Sequence, residues 1–221
     1  MENLKRYLKT TPVIDWDTEA VKQKAQELTR GLNTDREKAV ALYYFVRDKI
    51  KHNPFAEGLR PEDYKASVTL ERGYGSCQHK AILLVALARA AGIPGRLGYV
   101  DIRDHLLSPK FRALIDGGNL IIQHGYAELS LDGRWVHTSP AYDMEVCLKH
   151  RFIPVEFDGV NDAKDSAFNQ AGKPHIQHIK DHGTYDDYPW DFILSYRQQW
   201  VASIGREWTE HRDNFAKHKK E

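Results

Sequence analysis

The spacing of apolar residues changes period midway along the chain, and the change divides the elements it predicts. Residues 15–32, "DWDTEAVKQKAQELTRGL", open on acidic residues and close near Gly31, as a helix does. Residues 33–51, "NTDREKAVALYYFVRDKIK", predict a second helix that starts from the capping chemistry of Asn33-Thr34-Asp35. Ala39, Leu42, Tyr43, Val46 and Ile50 recur in it at helical spacing and form a core-facing stripe. Residues 52–67, "HNPFAEGLRPEDYKAS", carry two prolines and a glycine and read as a loop. A third helix runs from Cys77 to about Ala91, with Gly92 and Pro94 as its stop. It is apolar on every side from Ala81 to Ala88, the signature of a helix buried all round.

After that helix the period approaches two. "RLGYVDI", "NLIIQHGYAELSL" and "RWVHTSPA" are rich in branched and aromatic residues at near-alternating positions and predict antiparallel strands. Asp132-Gly133 between the last two is the dipeptide of a two-residue hairpin with positive φ. If Leu131 faces Arg134, then Glu128 faces His137, Tyr126 faces Ser139 and His124 faces Ala141. Beyond Asp143 the pattern is less regular. Trp200, Ile204 and Trp208 mark a closing amphipathic helix, and "KHKKE" reads as a solvated tail. There is no internal repeat or low-complexity linker. Helices followed by antiparallel strands predict an α+β fold, and 221 residues fit one generous domain.

Charge narrows the function classes. Thirty-two lysines and arginines against 31 acidic residues leave no net field to steer a polyanion, so neither nucleic acid nor an anionic membrane surface is the expected partner. No apolar run approaches the ~20 residues of a membrane span, and "MENLKRYLKT" lacks the apolar stretch of a secretory signal, which predicts a soluble, cytoplasmic protein. Two cysteines without an export signal do not make a disulfide framework, so each needs its own explanation.

Cys77 follows the glycine-spaced turn Gly73-Tyr74-Gly75 and starts the apolar helix, where unpaired backbone N–H groups favour a thiolate and could also face a developing oxyanion. A base within reach would complete a nucleophilic site, and His124, mid-strand and followed by Gly125, is the candidate. Cys147, with His150 three residues on, reads as core filler.

Taken in order, the glycine-rich turn, Cys77, the buried helix, "GIPGR", then His124 followed by "YAEL", a tight turn and "RWVHTSP" resemble the transglutaminase-like superfamily over residues 35 to 143. Three further segments, "TPVIDWDTEAV", "EFDGVNDAKDSAF" and "DHGTYDDYPWDF", look like a bacterial branch of it, which makes residues 1–221 one transglutaminase-like unit with 144–221 as an extension packed on the core. The resemblance implies a papain-like fold with Cys77 at the N-terminus of a central helix packed on the sheet that carries His124. It also implies a Cys-His-Asp triad for acyl transfer or hydrolysis on an amide- or peptide-containing substrate through a thioester, with no cofactor and no metal.

One departure matters. The aspartate of the family pattern falls on Ser139. By the hairpin register, Ser139 and Asp143 both lie diagonally across from His124 on one face, at ~7 Å between backbone positions, so either could orient the imidazole. Pro140 weakens the case for Asp143, because it removes a ladder donor. Two rivals stand beside the enzyme reading. A non-catalytic binding module on the same fold would account for the missing aspartate. A metal hydrolase would use His175, His178 and His182, which recur at helical spacing in "HIQHIKDH". The oligomeric state and the choice between water and an amine as acceptor are not legible.

Overall fold

The computed structural model describes residues 4–58, 60–114 and 118–196. The amphipathic helix expected through Trp200, Ile204 and Trp208 and the tail expected after it lie outside the described residues. α1 (Glu19–Thr29) buries Val21 and Ala25. α2 (Asp35–Lys49) is opened by a reciprocal cap: Thr34 Oγ1 accepts the Glu37 N–H at 3.1 Å, and Glu37 Oε2 accepts the Thr34 N–H at 2.9 Å. The predicted stripe of Ala39, Leu42, Tyr43 and Val46 is buried, and Ile50 ends the helix in the core.

β1 (Lys51–His52) pairs in parallel with a strand more than twenty residues later. The expected loop between them holds two short 3-10 turns, Pro54–Ala56 and Pro61–Tyr64, followed by a helix the spacing did not predict, α3 (Ala66–Arg72). Gly73 ends α3 with φ +67°, a left-handed conformation that favours glycine, and turns the chain into β2 (Tyr74–Gly75).

α4 (Cys77–Ala90) runs through the centre and is buried from Gln78 to Arg89, as its all-apolar middle predicts. It packs on α1, α2 and α3 on one side and on the sheet on the other. Its polar side chains survive burial because backbone carbonyls receive them. Lys80 Nζ donates to Arg47 O at 3.0 Å, Gln78 Nε2 to Gln123 O at 2.9 Å, and Arg89 Nη2 to Gly95 O at 2.8 Å.

β3 (Gly95–Asp104), α5 (Pro109–Leu114), β4 (Leu120–Leu131), β5 (Arg134–Thr138), α6 (Met144–His150) and β6 (Ile176–Tyr185) follow, and the strands form an antiparallel sheet in the order β5-β4-β3-β6. The β4–β5 hairpin turns at Asp132 and Gly133, with φ of +50° and +80°, as that dipeptide requires. Its register is the expected one, from Leu131 opposite Arg134 to Ala127 opposite Thr138. There the ladder stops. The pairing of Tyr126 with Ser139 and of His124 with Ala141 does not form, because β5 leaves the sheet before Pro140. The architecture is α+β, with helices packed on one face of an antiparallel sheet. Among the described residues no helix is long and apolar enough to cross a membrane.

Candidate active site

Ser76 precedes α4 and donates its backbone N–H to Nδ1 of His79 at 3.3 Å, which leaves Cys77 as the first helical residue. The first intrahelical bond comes from Lys80 N–H to Ser76 O at 3.0 Å, so the N–H groups of Cys77, Gln78 and His79 precede it and present the positive end of the helix. Cys77 is partly exposed, whereas Cys147 is buried.

His124 reaches this helix end through two local irregularities of β4. Gln123 adopts φ +57°, unusual for a residue with a side chain, and the β3–β4 register slips between Val100 and Ile102. The displaced Gln123 N–H is taken by Asp101 Oδ1 at 2.9 Å, and its side-chain amide donates to Phe192 O at 2.8 Å. Bulges of this kind re-aim the neighbouring side chain. Gly125 then removes the obstacle: a Cβ there would stand 2.9 Å from the Gln78 Cα. The Gln78 side chain ties the same contact together, donating to Gln123 O and accepting the Tyr188 hydroxyl at 2.9 Å.

The result is a hydrogen-bonding contact between Cys77 and a His124 that is only 4 % exposed. Nε2 of His124 lies 3.4 Å from Oδ2 of Asp165, whose side chain is also 4 % exposed. The ring N–H is off-line from that oxygen, so the contact is an ion pair rather than a well-formed hydrogen bond. The Ser139 hydroxyl donates to the same Oδ2 at 2.5 Å. Burial alone would strip the proton from His124, but the neighbouring Cys77 and Asp165 outweigh it and push the imidazole up to about 10. Burial likewise acts to raise Asp165, and His124 and the Ser139 hydroxyl reverse it and hold the carboxyl below its usual range.

Two expectations therefore change. Asp143 is not the partner of His124. Freed from the ladder, it caps α6: Oδ1 accepts the N–H groups of Glu145 at 3.0 Å and Val146 at 3.2 Å, and Oδ2 accepts that of His52 at 2.7 Å. Ser139 does not face His124 across a ladder either; it supports the carboxylate that does. Its N–H donates to Ala163 O at 2.9 Å, and Thr138 bridges Ala163, which brings Asp165 alongside. The sequence reading missed Asp165, and its only trace there is the segment "EFDGVNDAKDSAF". The histidine cluster changes as well. His178 and His182 lie in β6 rather than a helix, and His175 just precedes it; His175 is buried, His178 exposed and His182 paired to Asp101 at 2.8 Å. The helical spacing that suggested a metal centre is not realised.

Cys77 and His124 open into a cleft of about 600 Å³, walled by Phe55, Leu107, Phe111, Leu120 and Ile121, with Glu57, Asp104 and Tyr142 among its polar members. Cys147 is buried and does not line this cleft, its thiol pushed up to about 11 by burial. His150 lies at the cleft, stacked on Phe152 at 5.4 Å between ring centroids.

Residues 22–140 match the model of the transglutaminase-like superfamily. No curated protein matches the sequence. Among solved structures, a candidate cysteine protease from Cytophaga hutchinsonii is similar at 15 % identity and TM-score 0.49, over 84 % of this chain and 55 % of that one. A candidate protease from Parabacteroides distasonis is similar at 20 % identity and TM-score 0.40, over 62 % of this chain and 25 % of that one. This chain thus spans about half the length of the first and a quarter of the second. The family match covers more than half of the sequence and includes both Cys77 and His124: the chain belongs to the transglutaminase-like superfamily.

Proposed function

We propose that the protein cleaves an amide or peptide-like bond through a thioester on Cys77, with His124 as acid and base and Asp165 as the orienting carboxylate. The observation that carries this reading is the chain of contacts from Cys77, at the N-terminus of a buried helix and in the wall of a cleft, to His124 and from His124 to the buried Asp165. The Cys77 sulfur attacks the carbonyl carbon, and the charge that develops on its oxygen is met by the positive end of α4, whose first-turn N–H groups precede the first intrahelical bond. His124 gives its proton to the leaving nitrogen as the C–N bond breaks, which leaves the acyl group on sulfur. Neutral His124 then takes a proton from water, whose oxygen attacks the thioester to release a carboxylic acid and restore the thiol. Water is the proposed acceptor because Cys77 is partly exposed.

The non-catalytic alternative rested on the aspartate missing at Ser139. Asp165 supplies a carboxylate to the same imidazole, which removes that reason.

The test is limiting iodoacetamide near neutral pH with peptide mapping, followed by a panel of peptide and amide substrates read by intact mass for an acyl adduct. Cys77 should label well ahead of Cys147, and Cys77→Ala should abolish both turnover and adduct. Preferential labelling of Cys147, or undiminished turnover by Cys77→Ala, overturns the reading.

A further inference from the structure

The cleft that opens onto Cys77 holds a second buried carboxylate for which acyl transfer has no use. Asp104 ends β3, lines the cleft and is only 2 % exposed. Its Oδ1 accepts the Leu106 N–H at 2.8 Å, and its Oδ2 meets the Tyr142 hydroxyl only at a loose 3.4 Å. The nearest candidate for a counter-charge is His175, with Nε2 3.9 Å from Oδ1. His175 is 2 % exposed, and neither of its ring nitrogens has a hydrogen-bond partner. Burial lowers His175 and keeps the imidazole neutral near pH 7, so it balances no charge. Among the described residues no lysine or arginine stands at ion-pair distance from Asp104.

Burial raises the Asp104 carboxyl above its usual range against the Leu106 N–H, as it does for a carboxylate whose charge is poorly answered, and a cation in the cleft would relieve that cost. Tyr142 connects this point to the nucleophile. Burial first, and then the charges of Asp104, Asp165 and Cys77, hold its phenol protonated, so it lies within the field of both centres. His52, whose ring centroid is 5.0 Å from that of Tyr142, is kept neutral by burial and by Lys80, with its pKa pulled down to about 3, and supplies no positive charge either. The wall around it carries the apolar Leu107, Phe111, Leu120 and Ile121, with the polar Glu57 and Ser108 also at the cleft.

We propose that Asp104, flanked by Tyr142 and His175, is a cation subsite that receives the free α-ammonium group of a peptide substrate whose apolar side chain lies against the cleft wall. The position of the scissile bond rests on the reading of Cys77 as nucleophile; the binding of the ammonium group does not. An ammonium supplies the missing charge and a donor to Asp104 Oδ2. Substrate choice would then favour unblocked peptide ends over internal segments of a chain.

The experiment uses phenylalanyl and phenylalanyl-alanyl chloromethyl ketones, each with its amine free or acetylated, and follows alkylation of Cys77 by mass at pH 7. At least one free-amine reagent should react about tenfold faster than its acetylated twin, and Asp104→Asn should bring that ratio to within about twofold. Iodoacetamide, which has no ammonium group, should alkylate both proteins at equal rates. A wild-type ratio near one for both pairs, or a ratio that survives in Asp104→Asn, overturns the subsite; the wild-type contrast needs no variant to fold. Should iodoacetamide show that Cys77 is not the reactive thiol, the nucleophile reading falls by itself. Calorimetric binding of phenylalanyl-alanine amide and its N-acetyl form to the Cys77→Ala protein then decides the subsite, by the same ratio.

Discussion

Asp143 and Asp165 follow β5 within one stretch of chain, both side chains are almost wholly out of solvent, and both carboxyls are held below their usual range, yet they serve different ends. Asp143 meets three backbone N–H groups at 2.7 to 3.2 Å, two of them from the helix that starts at the next residue. Its oxygens are thereby committed to the backbone. Asp165 accepts one side-chain hydroxyl and keeps its charge for an imidazole. Nearness in sequence to the histidine strand therefore does not make a carboxylate available. A helix that begins just after an aspartate claims it as a cap, and the carboxylate left free is one placed by a contact between distant segments.

The strongest way to break this comparison is to neutralise each carboxylate in turn. Asp165→Asn should lower kcat on the order of a thousandfold, as loss of the orienting charge does in related triads. Asp143→Asn should change it less than about threefold, since its carboxylate does not touch the imidazole. Steady-state kinetics on one substrate suffices, and the reverse order would restore Asp143 as the third member.

Next in size is Gly125→Ala. The added methyl would meet the Gln78 backbone at 2.9 Å and force β4 away from the start of α4. A displacement of ~1 Å between nucleophile and base costs on the order of a hundredfold in rate. Iodoacetamide reactivity of Cys77 should fall along with turnover; full activity would mean that the close approach is not needed. Smaller again is Ser139→Ala, which removes a hydrogen bond from Asp165 but not its charge, and should cost about tenfold or less in kcat.

Proton linkage sharpens the Asp165 half of the comparison. The His124 imidazole binds its proton more tightly in the fold, near 10, than in the unfolded chain, near 6.5. The stability that proton contributes is fully present below pH 6.5 and is lost as pH rises through about 10. Urea unfolding across that window should show the loss in the wild type, reduced in Asp165→Asn and absent in His124→Gln. Turnover that depends on the imidazolium should fall over the same alkaline range.

What was legible in the sequence was what depends on local signals. Cys77 stands at a helix start because a glycine turn precedes an apolar run, the hairpin turns at Asp132-Gly133 because both residues take positive φ, and Gly125 is small because a helix abuts it. β6 was not legible. It is an edge strand with Gln177 through Asp181 exposed, so it has no alternation to betray it, and pairing with β3 overrides the helical spacing of its histidines. Asp165 lay beyond reach for a related reason. It is placed by the bridge between Thr138 and Ala163, a contact that no period along the chain encodes.

The smallest expected change in rate comes with a measurable change in stability. Asp143→Asn keeps the shape of the side chain but puts an amide where a carboxylate now accepts three N–H groups, so at least one of them must lose its acceptor or face an N–H donor. It also removes the charge that, against the dominant effect of burial, helps to keep the fully buried Lys80 protonated. Loss of a helix cap of this kind costs about 1–2 kcal/mol. The sign with pH follows from the depressed carboxyl. Its contribution is present above the unfolded value of 3.8 and is lost as pH falls through the lower folded value. The gap in urea midpoint between wild type and Asp143→Asn should therefore be open at pH 6 and narrow steadily below pH ~4. A gap that persists undiminished to pH ~2 would mean that shape or packing at Asp143, rather than its charge, holds α6 and β1 together.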